Sequence, residues 1–129
     1  MLHTPDRLGF ISALNLCVYA VRAYGLTIID GVQLDLENEE LLRASCEQGR
    51  DLGFDGKSLI HPNQIAAINA AFAPDAEEIA AAHNIIAAFE QARAQGKGVV
   101  VVNGRLVENL HLEEAQRQLA LTAAISRLG

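Results

Sequence analysis

Apolar residues recur three and four positions apart at Phe10, Ala13, Leu14, Cys17, Val18 and Val21, which predicts a helix with one inward face. Gly25 suits the left-handed stop that closes such a helix. Leu26 to Ile29 is a short, partly β-branched run closed by Asp30-Gly31, the pattern of a buried strand entering a loop. Asn38 is placed to cap a second helix, with Glu39 and Glu40 complementing the positive end of its dipole. Leu41, Leu42, Ser45, Cys46, Gly49 and Leu52 form its inner face, and Gly53 ends it. A second apolar run, Lys57 to Ile60, stops at His61-Pro62, because proline disfavours a helical conformation at the residue before it. Proline also suits the first turn of a helix, and a short helix is expected from Asn63 to Ala71. Helix, strand, helix, strand, helix with short loops predicts consecutive β/α units with parallel neighbouring strands.

Beyond Pro74 the pattern changes. Asp75 and Glu78 stand three apart at the head of an apolar-periodic segment, as in a capping box, and a long helix is expected to about Gln95. Its apolar face is Ile79, Ala82, Ile86 and Phe89. Val99 to Val102 is strongly β-prone, and Asn103-Gly104 is a strong hairpin signal, with Arg105 to Val107 returning. A last helix is expected from about Leu110 to Leu128, capped by Asn109. The hinge Phe72-Ala73-Pro74 divides residues 1–73, two β/α units, from residues 74–129, a helix–hairpin–helix extension.

The 129 residues suffice for one small domain. The net charge of −6, without a basic patch, argues against nucleic acid as a partner. The apolar run from Phe10 to Val21 is interrupted by Ser12 and Asn15 and is too short to span a bilayer. No secretory pattern opens the chain, so the cytoplasm is the default location. Cys17 and Cys46 fall within helical patterns and read as reduced core thiols; neither a Cys-x-x-Cys pair nor a Cys/His cluster at metal-site spacing is present. Asp35, Glu37, Glu39 and Glu40 number enough for a metal cluster, but a solvated loop and a helix's first turn account for them. There is no Gly-x-Gly-x-x-Gly and no Walker loop to suggest nucleotide binding.

The stretch Gly53-Phe54-Asp55-Gly56-Lys57, followed by Ile60-His61-Pro62 and Gln64-Ile65, resembles the last barrel strand of the citrate lyase beta-subunit family. That family includes malyl-CoA lyases and other HpcH/HpaI-type aldolases acting on CoA esters. The likeness extends upstream through Ala20 to Leu26 and Ile29 to Val32, and downstream through Ala71 to Pro74 and Asn103 to Glu108. The resemblance implies an α/β fold: the C-terminal part of a (β/α)8 barrel, its last two β/α units, followed by the helix–hairpin–helix tail. A whole barrel takes roughly 250 residues. The chain is therefore expected to be a piece of a longer protein, or to borrow material from another copy.

The resemblance also implies carbon–carbon bond cleavage, or the reverse condensation, beside a CoA thioester. The partners would be an acyl-CoA and a small keto or hydroxy acid. Magnesium is implied as a Lewis acid, with carboxylate ligands and a substrate-binding arginine on earlier strands, so no metal ligand is expected here. Glu108 is the sharpest catalytic candidate: relatives carry an aspartate at this place, which reaches a neighbouring subunit's site as acid/base. Here a glutamate stands there, one methylene longer, followed by Asn109-Leu110 instead of a proline-containing turn. The bland alternative is an acidic residue favoured by a helix dipole. Asp30, at a strand end, reads either as substrate-binding or as an Asx-turn at the Asp-Gly corner. Lys57 can pair with substrate or CoA phosphate, or bind a carboxylate at the barrel bottom ahead of its strand. His61 can contact ligand, or be a satisfied corner histidine. His83 reads as a border residue, and His3 and His111 carry no assignment. Leucines on more than one side of the last helix predict a homo-oligomer formed through the tail. The alternative function is a non-catalytic interaction module.

Overall fold

The computed structural model describes residues 4–128. They form two compact units, divided between Phe72 and Ala73.

In the first unit, a 3-10 turn at Leu8–Phe10 leads into helix α1, Ile11–Ala23. Strand β1 is Ile29–Asp30, helix α2 Glu39–Leu52 and strand β2 Gly56–Lys57. A 3-10 turn, Pro62–Gln64, opens helix α3, Ile65–Phe72. The strands pair in parallel, Ile29 against Gly56 and Asp30 against Lys57. Both lie differently from the expected runs Leu26–Ile29 and Lys57–Ile60. The ladder is carried past the short strands by Asp55 N–H to Ile28 O (2.9 Å) and Ser58 N–H to Asp30 O (3.0 Å). It ends where the Gln64 side chain takes the Ile60 N–H (3.0 Å).

The expectation that these runs are buried is also corrected. Ile29 and Ile60 are about half exposed, at 53% and 52%. The unit's residues bury the strand ends Asp30 and Lys57 instead. The core lies between α2 and α3, where Leu42, Cys46 and Ile68 are buried with Phe72 against them. Helix α2 follows its sequence closely. The Asn38 side chain accepts from Leu41 N–H (2.9 Å), and Gly53, at φ 97°, closes the far end. There Phe54 N–H reaches Gly49 O and Gly53 N–H reaches Arg50 O, a Schellman arrangement that an L side chain at position 53 would strain.

Only one of the two expected core thiols is in a core. Cys46 is buried, whereas Cys17 is exposed, because α1 buries only Val18 of its apolar residues.

The second unit is α4, Ala76–Ala94, the hairpin β3, Val100–Val102, and β4, Arg105–Val107, and α5, Asn109–Leu128. The capping box at Asp75 and Glu78 is present in both directions. Asn103 and Gly104 both take positive φ, 51° and 75°, as a two-residue type I′ turn requires. Ala92, Val100 and Val107 form the core, with Ile85, Ala88, Phe89 and Val102 against it. His83 is exposed instead of lying at a buried border. Asn109 is the first residue of α5 and not its cap; the cap position falls to Glu108.

Candidate functional site

The parallel register sets Asp30 and Lys57 side by side, so their side chains rise from one face of the pair. Lys57 Nζ lies 2.9 Å from Asp30 Oδ2, and both side chains are almost wholly buried. Lys57 binds a carboxylate, as its structural reading has it, but it closes β2 instead of preceding it, so both residues stand at the strands' C-terminal ends and not at the barrel bottom. In β/α folds this is the end at which sites are assembled.

Arg7 completes the cluster. Its Nη1 donates to Asp30 Oδ1 (2.7 Å) and Oδ2 (2.9 Å), while Nε donates to Gln48 Oε1 (2.7 Å). Gln48 in turn holds the Asp6 carbonyl. Arg7 reaches this position from a left-handed backbone conformation, φ 53°, which costs a non-glycine residue about 1 kcal/mol. The Gly31 N–H also donates to Asp30 Oδ1 (2.8 Å), a contact one residue on and not the two-residue reach of an Asx-turn. Burial raises the Asp30 pKa. The hydrogen bonds from Arg7 and Lys57, with their charges, outweigh burial and hold it below the usual carboxylate range.

Gly49 makes room for this carboxylate. A Cβ at position 49 would sit 2.8 Å from Asp30 Oδ2, and the two cations leave that oxygen nowhere to retreat. Cys46, one turn earlier on α2, is fully enclosed, and burial pushes its thiol pKa up.

His61 stands apart from this cluster. Its Nδ1 accepts from Asn63 N–H (3.2 Å), capping the 3-10 turn, and the residue is exposed. Gln64 does the buried work of that corner, bridging Ile60 N–H and the Gln33 carbonyl. Arg22, a residue on the α1 surface, forks onto Asp55 through Nη1 and Nη2 (2.9 and 2.8 Å) and also holds the Gly53 and Leu26 carbonyls.

In the second unit, Glu108 follows β4 directly and is exposed. Its carbonyl accepts the first helical N–H groups of α5, and its carboxylate has no hydrogen-bond partner among the described residues.

Sequence reasoning brought out Asp30, Lys57, His61 and Glu108; within the first unit the structure joins Asp30 to Lys57 and leaves His61 apart. That reasoning missed Arg7 and Gln48, and it placed Gly49 on the inner face of α2 without a role beside Asp30. A sequence signal existed for Gly49, which continues the small-residue face of Ser45 and Cys46. None existed for Arg7, which meets Asp30 across 23 residues of chain.

The residues present do not fit a magnesium site. No group of three or more His, Cys, Asp or Glu side chains able to hold a metal occurs among the described residues. The one carboxylate buried among the described residues, that of Asp30, faces two cations, with Arg7 Nη2 buried and unpartnered beside them. A dication would meet repulsion there, not donors.

Two parallel β/α units with a charged pair at their C-terminal ends define a segment of the β/α class. Residues 2–62 match the family described as HpcH/HpaI aldolase/citrate lyase. A (3S)-malyl-CoA thioesterase of Cereibacter sphaeroides is 54% identical over 124 residues, covering 96% of this chain and 44% of that protein. The citrate lyase subunit beta of Leuconostoc mesenteroides subsp. cremoris is 40% identical over 120 residues, covering 93% of this chain and 40% of that protein. The crystal structure of protein CitE from Mycobacterium tuberculosis in complex with magnesium, acetoacetate and coenzyme A superposes with a TM-score of 0.68 at 26% identity. That superposition covers 87% of this chain and 40% of that one. Over residues 2–62 the chain is thus similar to the HpcH/HpaI aldolase/citrate lyase family, and it spans less than half the length of these relatives.

Proposed function

We propose that the chain is the C-terminal part of an enzyme acting on CoA thioesters of small hydroxy or keto acids. The reaction would be cleavage or formation of the carbon–carbon bond beside the thioester. The observation that carries this reading is Glu108: an exposed carboxylate without a partner, held at the head of α5 directly after a hairpin. A group so placed can carry a proton to or from the carbon next to a thioester carbonyl. The similarity to proteins named for malyl-CoA and citrate supports the substrate class.

In this reading Asp30 and Lys57, almost wholly buried and bonded to each other, support the site from behind without touching substrate. Their mutual charge balance fixes the strand ends, and His61 presents its outer nitrogen from the corner beyond β2. Any magnesium in this reading would be held by carboxylates that the described residues do not supply. Assembly through the second unit would bring Glu108 to a neighbouring copy's site.

The test is to incubate the purified chain with malyl-CoA and citryl-CoA and magnesium, and to follow free CoA and the acid products. No turnover is expected from the chain alone, because a pair of β/α units and one acid/base group do not make a complete site. Metal-dependent cleavage at an enzymatic rate would overturn the partial-site reading.

The second reading, a non-catalytic interaction module, draws on one observation. The cross-strand pair Val101 and Leu106 leaves each side chain 60% exposed on the outer face of the hairpin. Self-association without any effect of Glu108→Ala on turnover in a complete enzyme would favour it.

A further inference from the structure

The geometry points to His111 as the positioning residue for Glu108. This rests on the reading of Glu108 as the acid/base group. A helix start leaves backbone N–H groups unsatisfied, and a capping box meets the need at the cap itself with a Glu or Gln three residues on, whose side chain reaches back. At α5 that position is His111, and it does the same with a ring nitrogen: Glu108 N–H donates to His111 Nδ1 at 3.0 Å. The reciprocal bond runs from His111 N–H to Glu108 O at 2.9 Å, with Leu112 N–H on the same oxygen at 3.3 Å. The residue pair is thus tied at the backbone in both directions.

This arrangement has a consequence for the carboxylate. In the usual box the cap side chain is itself engaged, as Asp75 is at the head of α4, where Glu78 N–H donates to its Oδ1 (2.8 Å). At α5 the tie is made by the Glu108 main chain alone. The Glu108 side chain therefore has no part in capping and stays available, while its backbone is fixed. His111 must present an unprotonated Nδ1 to accept this bond, so its ring proton sits on Nε2. An aspartate or glutamate at position 111 would close the same box but set a second carboxylate beside the first. A histidine closes it without that repulsion.

The test is amide hydrogen exchange and imidazole nitrogen NMR on the whole labelled chain. The Glu108 amide should exchange at least about fivefold faster in His111→Ala, the loss expected for one hydrogen bond. His111→Gln, which can still reach back, should restore the protection. Amides from Ala115 to Thr122 should be unchanged in both, which separates a local effect from general loss of the helix. In the unsubstituted chain the imidazole should show its proton on Nε2. An unprotected Glu108 amide, or a proton on Nδ1, overturns the role of His111 and leaves the acid/base reading of Glu108 standing. Conversely, full turnover by Glu108→Ala in a complete enzyme defeats that reading without touching the exchange result.

Discussion

Asp30 shows how much one buried carboxylate can organise. It holds Arg7, Lys57 and its own Gly31 N–H at once, and Lys57 has no water to turn to when the partner is removed. Asp30→Asn should destabilise the first unit by roughly 3–5 kcal/mol, the cost of stranding a buried charge. Amide hydrogen exchange at Leu42 and Cys46, in the core of this unit, reads its opening directly. Adding Lys57→Met should cost less than the sum of the two single changes, since it removes the stranded ammonium. The pH dependence follows from the depressed Asp30 pKa. The unfolded state takes up the proton first as pH falls, so the stabilisation is intact above the ordinary carboxylate value of about 4 and is lost below it. Gly49→Ala tests the same site from its other side. With Asp30 Oδ2 pinned, the added methyl should cost roughly 1–3 kcal/mol, as overpacking does, although alanine favours helices.

At the scale of elements, the sequence was most readable where local chemistry decides. Asn38, the Asp75–Glu78 box, the stop at Gly53 and the Asn103-Gly104 turn all stand where residue type alone placed them, because each acts within a few residues of itself. Asp75→Ala should accordingly lower stability by about 1 kcal/mol, measured by thermal unfolding followed at helical wavelengths. The strands were read less well. Their apolar runs gave the right neighbourhood and the parallel pairing, but the ladder lies nearer the polar ends, at Asp30 and Lys57. Hydrophobicity reports what a strand would bury in a complete sheet. In this chain no other strand pairs with β1–β2 among the described residues, so Ile29 and Ile60 remain half exposed and the ion pair marks the buried positions. The candidate site was legible in part for the same reason. Asp30 and Lys57 are conspicuous beside their turns, whereas the Arg7 contribution depends on a side chain crossing to another part of the chain. The start of α5 was displaced by one residue because a histidine, and not Glu or Gln, closes its box.

The chain as a whole is expected to self-associate. Each unit carries exposed apolar residues: Leu16 and Tyr19 in the first, at 67% and 66%, and Val101, Leu106 and Leu110 in the second, at 60%, 60% and 71%. Large contiguous apolar patches are uncommon on isolated soluble chains, and Val101 and Leu106 stand side by side across the hairpin. Light scattering should give a mass above 13.9 kDa that falls on dilution. Replacing Val101 and Leu106 together with Thr and Lys should shift the population toward single chains, because those side chains share one face of the hairpin. A monodisperse single chain at all concentrations would remove the proposed exchange of Glu108 between copies.

The Arg7–Asp30–Lys57 cluster also fixes an order of events. Its members are separated by 23 and 27 residues, so joining them closes two loops before any charge is neutralised. Such a junction is expected to form late, after α2 has supplied a wall to fold against. Substitutions within it should therefore speed unfolding and leave the refolding rate nearly unchanged. In stopped-flow traces of Asp30→Asn the unfolding limb alone should rise. On that outcome the cluster would be a latch on the lifetime of the folded unit, setting how long it stays closed and not how quickly it closes.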